Sequence, residues 1–377
     1  MRGKSMTILF AVLLFGFAIW NLLTPDQEFS ENENRYLAQR PGFSANALFD
    51  GSYMKELGEY ITDQFPLRNE WVGLKTLSER STGKRDSGGV YFAKDGFLIE
   101  QFCQADQVRL EKNIESVVSF SNYTQQKLGV SVQVLLAPVA SGVLEEKLPA
   151  HAPEVDQAML LQQADEAGVH LVNVMEPLQA HDTEYIYYKT DHHWTSLGAY
   201  YAYQAWQATL GRETKPLSAY TEEVLSDQFF GTTYSKANLY TIQPDTITAY
   251  YTTPQTEVWY NDDPTPEHSF YTRSYLKVKD KYSVFLNGNQ PITKVIGHNP
   301  QGGKLLLIKD SYANTFAQFA IEDYAEVHLV DLRYWKESVT EYIQEQGITN
   351  VLILYNLKNF TIDQDIYALG ADVQGKA

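Results

Sequence analysis

At residues 187–196 the chain reads YYKTDHHWTS, a run that gathers one carboxylate, two imidazoles and an indole. The residues just before it, Tyr185 to Tyr188, read as an apolar extended segment, and a helix-like run opens near Leu197. Charged side chains at a strand-to-helix junction are candidates for a site, because loops at strand ends carry chemistry more often than strand interiors do. The stretch therefore predicts a functional site at the end of a strand.

The spacing of Asp191 and His193 is informative about their geometry. Two residues apart in an extended segment, their side chains lie on one face, whereas in a helix they would point about 200° apart. Thr195 or Ser196 can cap the following helix, so the pair is expected to precede that helix. There the Asp191 carboxylate could accept the Nδ1 proton of His193 and leave Nε2 free as a base.

A second segment with the same architecture is KLLLIKDSYAN, residues 304–314. Five residues that read as a buried strand lead to Asp310 and Ser311, and a helix-like run follows. A serine hydroxyl at this position stands at the sheet edge, where backbone N–H groups of the helix start can hold an oxyanion. Ser311 as a simple helix cap is the alternative. With an Asp-x-His at another strand end, the nucleophile is the preferred hypothesis.

The wider rhythm of the chain predicts the fold class. Continuous apolar strands alternate with amphipathic helices, which indicates a parallel sheet covered on both faces, the doubly wound α/β class. The strand-like runs are Val130–Leu136, Val169–Val174, Lys304–Ile308, Glu326–Leu332 and Asn350–Tyr355, and the helix-like runs are Gln107–Leu128, Val155–Ala167, Leu197–Leu210, Asn314–Ile321 and Trp335–Gln346. Between about 215 and 297 short aromatic and β-branched runs replace this rhythm, which predicts a β-rich insertion.

The amino-terminal segment predicts membrane attachment. Met6 to Leu23 is almost wholly apolar, and the positive charges of Arg2 and Lys4 would keep the amino end in the cytoplasm. A cleaved signal peptide is the alternative, although no small-x-small cleavage site follows the apolar run. We expect an uncleaved signal-anchor at 1–24, a stalk and helical segment at 25–88, and the α/β domain at 89–377, on the outer face of the cell membrane.

Composition excludes some partners and some means of stabilisation. With 47 acidic and 30 basic residues in 377, the formal charge is -17, which argues against nucleic acid as a partner. The single cysteine, Cys103, excludes an internal disulfide framework.

At these motifs the chain resembles a known family. Residues 190–195, TDHHWT, followed downstream by Asp310-Ser311-Tyr312, resemble the DHHW proteins of Gram-positive bacteria, relatives of the SGNH-like polysaccharide O-acetyltransferases of alginate acetylation. Residues 63–68, 230–232 and 331–334 carry the resemblance further along the chain. In the alginate relatives the Asp-x-His motif precedes the serine, a permuted order relative to ordinary SGNH hydrolases, and this chain has that order.

The resemblance implies an activity and a set of roles. Ser311 would be the nucleophile, His193 the base and Asp191 its orienting carboxylate. Gly288 and Asn289 are candidates for oxyanion or substrate binding, with a plain β-turn as the alternative. The implied reaction is acetyl transfer to a cell-surface or secreted polysaccharide through an acyl-serine, the acetyl group being supplied across the membrane by a membrane-bound O-acyltransferase. No cofactor is expected.

Other readings of the same residues remain open. A carbohydrate acetylesterase would use the same acyl-enzyme with water as acceptor, and a non-catalytic polysaccharide-binding protein is a further alternative. A metal site at Asp191, His192 and His193 is possible by ligand type. Adjacent histidines rarely reach one ion together, and no second cluster completes a ligand shell, so no metal is expected.

Overall fold

A computed structural model describes residues 2–30, 32–33, 35–261 and 263–376. The chain divides into two compact units, which are described separately. The first comprises residues 1–88 and 234–242, and the second comprises residues 89–233 and 243–377.

The first unit is mainly helical. Its elements are α1 (Arg2–Leu23), β1 (Phe29–Ser30), β2 (Arg35–Tyr36), α2 (Ala45–Phe49), α3 (Ser52–Asp63), α4 (Arg68–Ser81) and β3 (Asp86–Ser87). Within α1, Lys4–Leu23 is long and apolar enough to span a membrane by length and composition. Pro66 lies in the break between two helices, since α3 ends at Asp63 and α4 begins at Arg68.

Strands and helices alternate along the rest of the chain. The elements are β4 (Val90–Phe92), β5 (Leu98–Glu100), α5 (Gln107–Tyr123), β6 (Ser131–Ala137), α6 (Ala140–Val143), α7 (Gln157–Glu166), α8 (Met175–Gln179), α9 (Ser196–Thr209), β7 (Thr221–Phe229), α10 (Thr232–Ala237), β8 (Asp245–Tyr251), β9 (Val258–Tyr260), β10 (Ile292–Ile296), β11 (Lys304–Lys309), α11 (Ala313–Ala320), β12 (Glu326–Val330), α12 (Val339–Gln346), β13 (Asn350–Asn356), α13 (Leu357–Phe360) and α14 (Tyr367–Val373).

The main sheet of the second unit has the strand order β6-β13-β11-β12-β10-β9. The first four strands are parallel to one another. In β11, Leu305 and Leu307 point into one core with α9 and α11, while Leu306 and Ile308 point into another with α5 and α12. Helices therefore cover both faces of the sheet, as the continuous apolar strands predict.

The expectation of a wholly parallel sheet is wrong at one edge, and the sheet is mixed. β10 pairs antiparallel with β12, and β9 pairs antiparallel with β10. The reason lies in the short connection at residues 297–303, which cannot return the chain to the opposite end of the sheet, whereas a parallel crossover needs a dozen or more residues.

One predicted strand and part of the region predicted as β-rich need correction. The run Val169–Val174 forms a single parallel bridge, at Leu171, with Val134. In the region predicted as β-rich, β7 and β8 form an antiparallel pair, and β9 and β10 join the main sheet. Two further runs there are 3-10 turns at Arg273–Lys277 and Lys281–Val284. Aromatic and β-branched residues report burial as much as strand pairing, and Tyr282 and Val284 are buried without joining a ladder.

Candidate active site

The segment that carries Asp191 and His193 is a tight turn closed by its own ends. Tyr187 and Trp194 form an antiparallel bridge, and the Thr195 N–H donates to the Ile186 carbonyl at 2.9 Å. Thr195 then caps α9, its Oγ1 accepting from the Gly198 N–H at 3.3 Å. The pair thus precedes the helix, as the sequence predicts.

Ser311 lies two residues after the end of β11, a strand in the interior of the sheet. Asp310 fixes the chain there, because its buried carboxylate accepts hydrogen bonds from the Tyr312 N–H at 2.9 Å and from the Asn356 N–H at 2.9 Å. Asn356 ends the neighbouring strand β13, so the serine turn is tied to the carboxyl end of the parallel strands. Ser311 itself is half-buried, which leaves its side chain accessible.

The structure brings Asp191, His193 and Ser311 into one chain of contacts. His193 Nε2 lies 2.7 Å from Ser311 Oγ, and His193 Nδ1 lies 2.5 Å from Asp191 Oδ1. The His193 backbone N–H also donates to Asp191 Oδ1 at 3.0 Å. With Nδ1 protonated and facing the carboxylate, Nε2 can accept the serine proton, the arrangement of a base-activated nucleophile.

The second oxygen of Asp191 is held by Thr232, which sequence reasoning did not identify as a site residue. Asp191 Oδ2 accepts from the Thr232 N–H at 2.8 Å and from Thr232 Oγ1 at 3.0 Å. Thr232 Oγ1 in turn lies 2.6 Å from His192 Nδ1. A Cβ at the preceding Gly231 would overlap the Asp191 carboxylate, so only glycine fits there. The available signal was the familiar Phe-Gly-Thr run at 230–232.

Tyr282 is the other contact that the sequence did not predict. Its ring stacks on the His193 ring with 3.8 Å between centroids and 11° between planes, and its hydroxyl donates to the Ser311 carbonyl at 3.1 Å. The His192 ring lies 3.9 Å from the His193 ring, centroid to centroid. The imidazole is therefore restrained by two neighbouring rings and by Asp191. The aromatic run that contains Tyr282 reads as a strand, which concealed its role.

Burial and neighbouring charges shift the pKa values of both His193 and Asp191. Burial, together with the electrostatic effect of His192, lowers the pKa of His193 to about 4, although Asp191 opposes the shift. Burial alone would raise the pKa of Asp191, but His192, His193 and the bond from Thr232 outweigh it and hold that pKa well below its usual range. Near neutral pH the pair therefore consists of a carboxylate and a neutral imidazole, as a general base requires.

Gly288 and Asn289 lie in a turn beside the elements that flank Ser311. Asn289 Oδ1 accepts from the Lys309 Nζ at 2.9 Å, and the Gly288 carbonyl accepts from Asn314 Nδ2 at 3.3 Å. Lys309 Nζ also donates to Asn314 Oδ1 at 2.8 Å, and burial lowers the pKa of Lys309 to about 8. The role of Gly288 and Asn289 in oxyanion binding stays a prediction.

The ligand-type cluster of Asp191, His192 and His193 does exist, with its candidate donor atoms within 4.8 Å of one another. Both oxygens of Asp191 already accept N–H or O–H hydrogen bonds, and His193 Nε2 faces Ser311. A metal ion would have to displace these contacts. The donor set thus fits a hydrogen-bonded relay better than a coordination shell.

Comparison with known proteins shows which family this chain resembles. The family model described as DHHW protein matches residues 157–330, a range that contains Asp191, His193 and Ser311. The resemblance to the DHHW proteins is confirmed. Among solved structures, a DHHW family protein from Eubacterium siraeum is 26% identical, with 76% of this chain and 96% of that chain covered and a TM-score of 0.65.

Other relatives extend the comparison at lower identity. Bacillus cereus PatB1 is 21% identical, covers 72% of this chain and 97% of its own, and has a TM-score of 0.61, which shows a shared fold. Two curated proteins called "Probable alginate O-acetylase AlgJ", from Pseudomonas syringae pv. tomato and Pseudomonas aeruginosa, are 24% identical over 213 residues and 25% identical over 200. These matches cover 54% and 50% of this chain. The chain spans about half the length of these two relatives, 54% and 47%.

Proposed function

We propose that this DHHW protein is an extracytoplasmic, serine-dependent O-acetyltransferase that acts on a cell-surface or secreted polysaccharide. The observation that carries the proposal is the chain of contacts from Asp191 through His193 to the half-buried Ser311. The names of the curated relatives support the choice of acetyl transfer and of a polysaccharide acceptor. In the proposed organisation, residues 1–24 anchor the chain, 25–88 form the stalk segment, and 89–377 form the SGNH-like domain.

The proposed reaction has two symmetrical halves. Ser311 Oγ attacks the carbonyl carbon of a donor acetyl ester while its proton passes to His193 Nε2, and the departing donor oxygen takes that proton as the ester bond breaks. A sugar hydroxyl then attacks acetyl-Ser311, gives its proton to Nε2, and the serine oxygen recovers it on release. Asp191 remains ionised and holds the imidazolium that forms in each half.

The developing oxyanion needs preorganised donors near Ser311. We assign this role to the Ser311 backbone N–H and to the Gly288–Asn289 turn. The support is the Lys309 Nζ bond to Asn289 Oδ1, which fixes the amide of Asn289 beside the serine-bearing strand. Such donors contribute about 3–4 kcal/mol to the transition state of acyl transfer.

We infer the donor and the location from the amino-terminal helix together with the resemblance to the proteins of alginate acetylation. With Lys4–Leu23 across the membrane and the domain outside, acetyl groups reach the site through a membrane-bound O-acyltransferase rather than from a soluble cytoplasmic donor. Hydrolysis by a carbohydrate acetylesterase is the second candidate, because the same contacts would serve water as acceptor. A non-catalytic polysaccharide-binding protein is not favoured, because it would not need a serine within 2.7 Å of an imidazole.

The test measures release of a chromogenic leaving group from a small acetate ester, with and without an oligosaccharide acceptor. Ser311→Ala and His193→Ala are expected to lower kcat/KM by a factor on the order of 10³ or more, and Asp191→Ala to lower it as well. Ser119→Ala, on the exposed side of α5, is the matched control and should retain wild-type activity.

Three outcomes separate the candidates. Acetylated oligosaccharide among the products supports transfer, and free acetate alone supports the esterase. Full activity in a folded Ser311→Ala variant would contradict the serine mechanism, and an inactive but folded wild-type protein would favour the binding protein.

A further inference from the structure

The helices α3 and α4 present an apolar face that their own unit leaves exposed. On α3 and just beyond it, Met54, Leu57, Ile61 and Phe65 follow helical spacing, and Met54 and Ile61 are 58% and 46% exposed. The face continues on α4 at Trp71, 46% exposed, and Leu74, 57% exposed. These apolar side chains, all exposed except the half-buried Leu57, form a stripe along two successive helices, which we call the hairpin stripe (Met54, Leu57, Ile61, Phe65, Trp71 and Leu74).

The side of α3 away from the stripe is charged. Lys55 and Glu59 lie there and approach each other to 4.0 Å. On α4, Lys75 lies one turn after Trp71, so it borders the hairpin stripe, and it approaches Glu79 to 3.8 Å. Helices with one apolar and one charged face lie in the plane of a membrane interface rather than across the bilayer.

Contacts with α1 determine where along that helix the α3–α4 hairpin lies. The Phe65 ring stacks on the Phe17 ring at 5.6 Å between centroids, and the Trp71 ring meets Phe17 at 6.3 Å. Asn21 Nδ2 donates to the Gln64 carbonyl at 2.8 Å. The turn between α3 and α4 is therefore held against the carboxyl-terminal third of α1.

The position of Phe17 along α1 decides what surrounds the turn. Lys4–Leu23 has 20 residues, and at about 1.5 Å rise per residue it is about 30 Å long, the thickness of the hydrocarbon core. Phe17 lies about 9 Å before Leu23 by the same rise. If α1 spans the bilayer, side chains that stack on Phe17 lie below the membrane surface.

A groove between α1 and α3 agrees with this position. It has a volume of about 870 Å³ and is lined by apolar side chains of both helices, including Leu13 and Phe17 from α1 and Leu57 and Ile61 from α3. Its charged residues, Asp26 and Arg40, belong to segments beyond the apolar run of α1, whereas the polar Asn21 lies near the carboxyl end of that run. A groove of this lining at this depth fits lipid acyl chains, and Trp71 has the side chain type that is enriched at membrane interfaces.

We propose that α3 and α4 form a membrane-embedded hairpin whose stripe contacts the lipid of the outer leaflet, so that the chain has an interfacial attachment besides its anchor helix. The inference rests on the membrane anchoring of the proposed function. It commits the apolar face to lipid, and a protein partner on the same face is the competing outcome.

The test places an environment-sensitive fluorophore on single cysteines of the full chain in vesicles of phosphatidylcholine and phosphatidylglycerol. The background variant is Cys103→Ser, and the probe positions are Ile61→Cys and Leu74→Cys on the stripe. Glu59→Cys on the charged face is the matched control, and Leu14→Cys reports the anchor helix. We expect lipid-attached quenchers to quench the fluorescence of probes at positions 61 and 74. The probe at position 59 should be quenched only by aqueous iodide.

The remaining outcomes overturn the proposal in distinguishable ways. Probes at 61 and 74 that respond like position 59, while position 14 is quenched from the lipid, would show a hairpin in water on a membrane-anchored chain. Protection at 61 and 74 in native membranes but not in pure vesicles would assign the stripe to a protein partner. A probe at position 14 that is accessible to aqueous iodide would show that α1 does not span the membrane, and it would contradict both the anchor and the embedded hairpin. The acetyl-transfer chemistry would still be tested separately by the Ser311 experiment.

Discussion

At the residue scale, His193 is the side chain on which the proposed chemistry depends. Asp191 holds Nδ1, Ser311 faces Nε2, and Tyr282 covers one ring face. These contacts fix the tautomer and the orientation of the ring before any substrate binds. A preorganised base of this kind avoids the cost of reorganisation during the reaction.

The pH dependence of activity is the first prediction at this scale. The pKa of His193 is about 4, below the ordinary value of about 6.5, and only the neutral imidazole accepts the serine proton. The kcat/KM on a small acetate ester should therefore rise with pH through about 4 and be level by pH 6.5. His192→Gln removes a neighbour that lowers this pKa, so its ascending limb should move to higher pH.

Stability must be followed in the same titration. A His or Asp whose folded-state pKa is depressed contributes stability that is lost as pH falls, and both His193 and Asp191 are of this kind. Circular dichroism at each pH separates loss of the base from loss of the fold. An ascending limb centred at or above pH 6.5 in a folded wild-type protein would contradict the burial argument.

Gly231 provides a second prediction at this scale. In Gly231→Ala, the added methyl group overlaps the Asp191 carboxylate, so either the carboxylate or the turn must shift. Because a misplacement of about 1 Å can cost about 10²-fold in rate, kcat/KM should fall by about that factor. Gly42→Ala, where nothing lies within 4 Å of the added Cβ, is the matched control. Wild-type activity in Gly231→Ala would mean that the position of Asp191 is not critical.

Sequence patterns reach part of this site. The two-residue spacing of Asp191 and His193 and the strand-end position of Ser311 are local features, so they could be predicted. Thr232 and Tyr282 come from distant segments and act through contacts that exist only after folding. Nothing in a single sequence pairs residue 232 with 191, apart from the resemblance at 230–232.

At the element scale, the site depends on how the turn at 187–195 is joined to β11 and α11. The buried Trp194 makes this joint, since its Nε1 donates to the Tyr312 carbonyl at 3.0 Å and to Thr315 Oγ1 at 2.9 Å. Tyr312 and Thr315 belong to the start of α11, just after Ser311. The indole thus fixes the distance between the histidine turn and the serine turn.

Trp194→Phe tests this joint. Phenylalanine keeps most of the apolar packing but removes the indole donor from two buried acceptors. Because these acceptors keep longer contacts with each other and with Tyr282, the free energy of unfolding in urea titrations should fall by about 1 kcal/mol. Activity should fall as well, because His193 and Ser311 lose their shared support. An unfolding free energy for Trp194→Phe equal to that of the wild-type protein would contradict the role of Trp194.

Prediction of elements from sequence succeeds where patterning is local. The periodic runs predicted for α7, α9 and α12 correspond to helices at 157–166, 196–209 and 339–346. The antiparallel edge formed by β9 and β10 could not be predicted, because strand direction follows from connection length and from partners distant in sequence. The same limit explains why the run at 169–174 makes one bridge instead of a full strand.

At the scale of the whole molecule, the candidate site lies where parallel α/β sheets usually carry their ligands. Ser311 follows β11 and Asp310 is tied to the end of β13, so the serine stands at the carboxyl ends of these strands. The formal charge of -17 disfavours nucleic acid as a partner. In the proposed organisation, an anchored chain with this site outside the cytoplasm would meet nascent polysaccharide at the membrane surface.

The central claim is that acetyl groups pass through Ser311, and the most direct measurement is to trap them there. The full-length protein is mixed with a small acetate ester, quenched in acid within its turnover time, digested and analysed by mass spectrometry, with and without an oligosaccharide acceptor. The account predicts one added acetyl group on the peptide that contains Ser311, absent in Ser311→Ala and depleted when the acceptor is present. Product formation by the wild-type protein with the acetyl group on another residue, or undiminished product formation by Ser311→Ala, would contradict it.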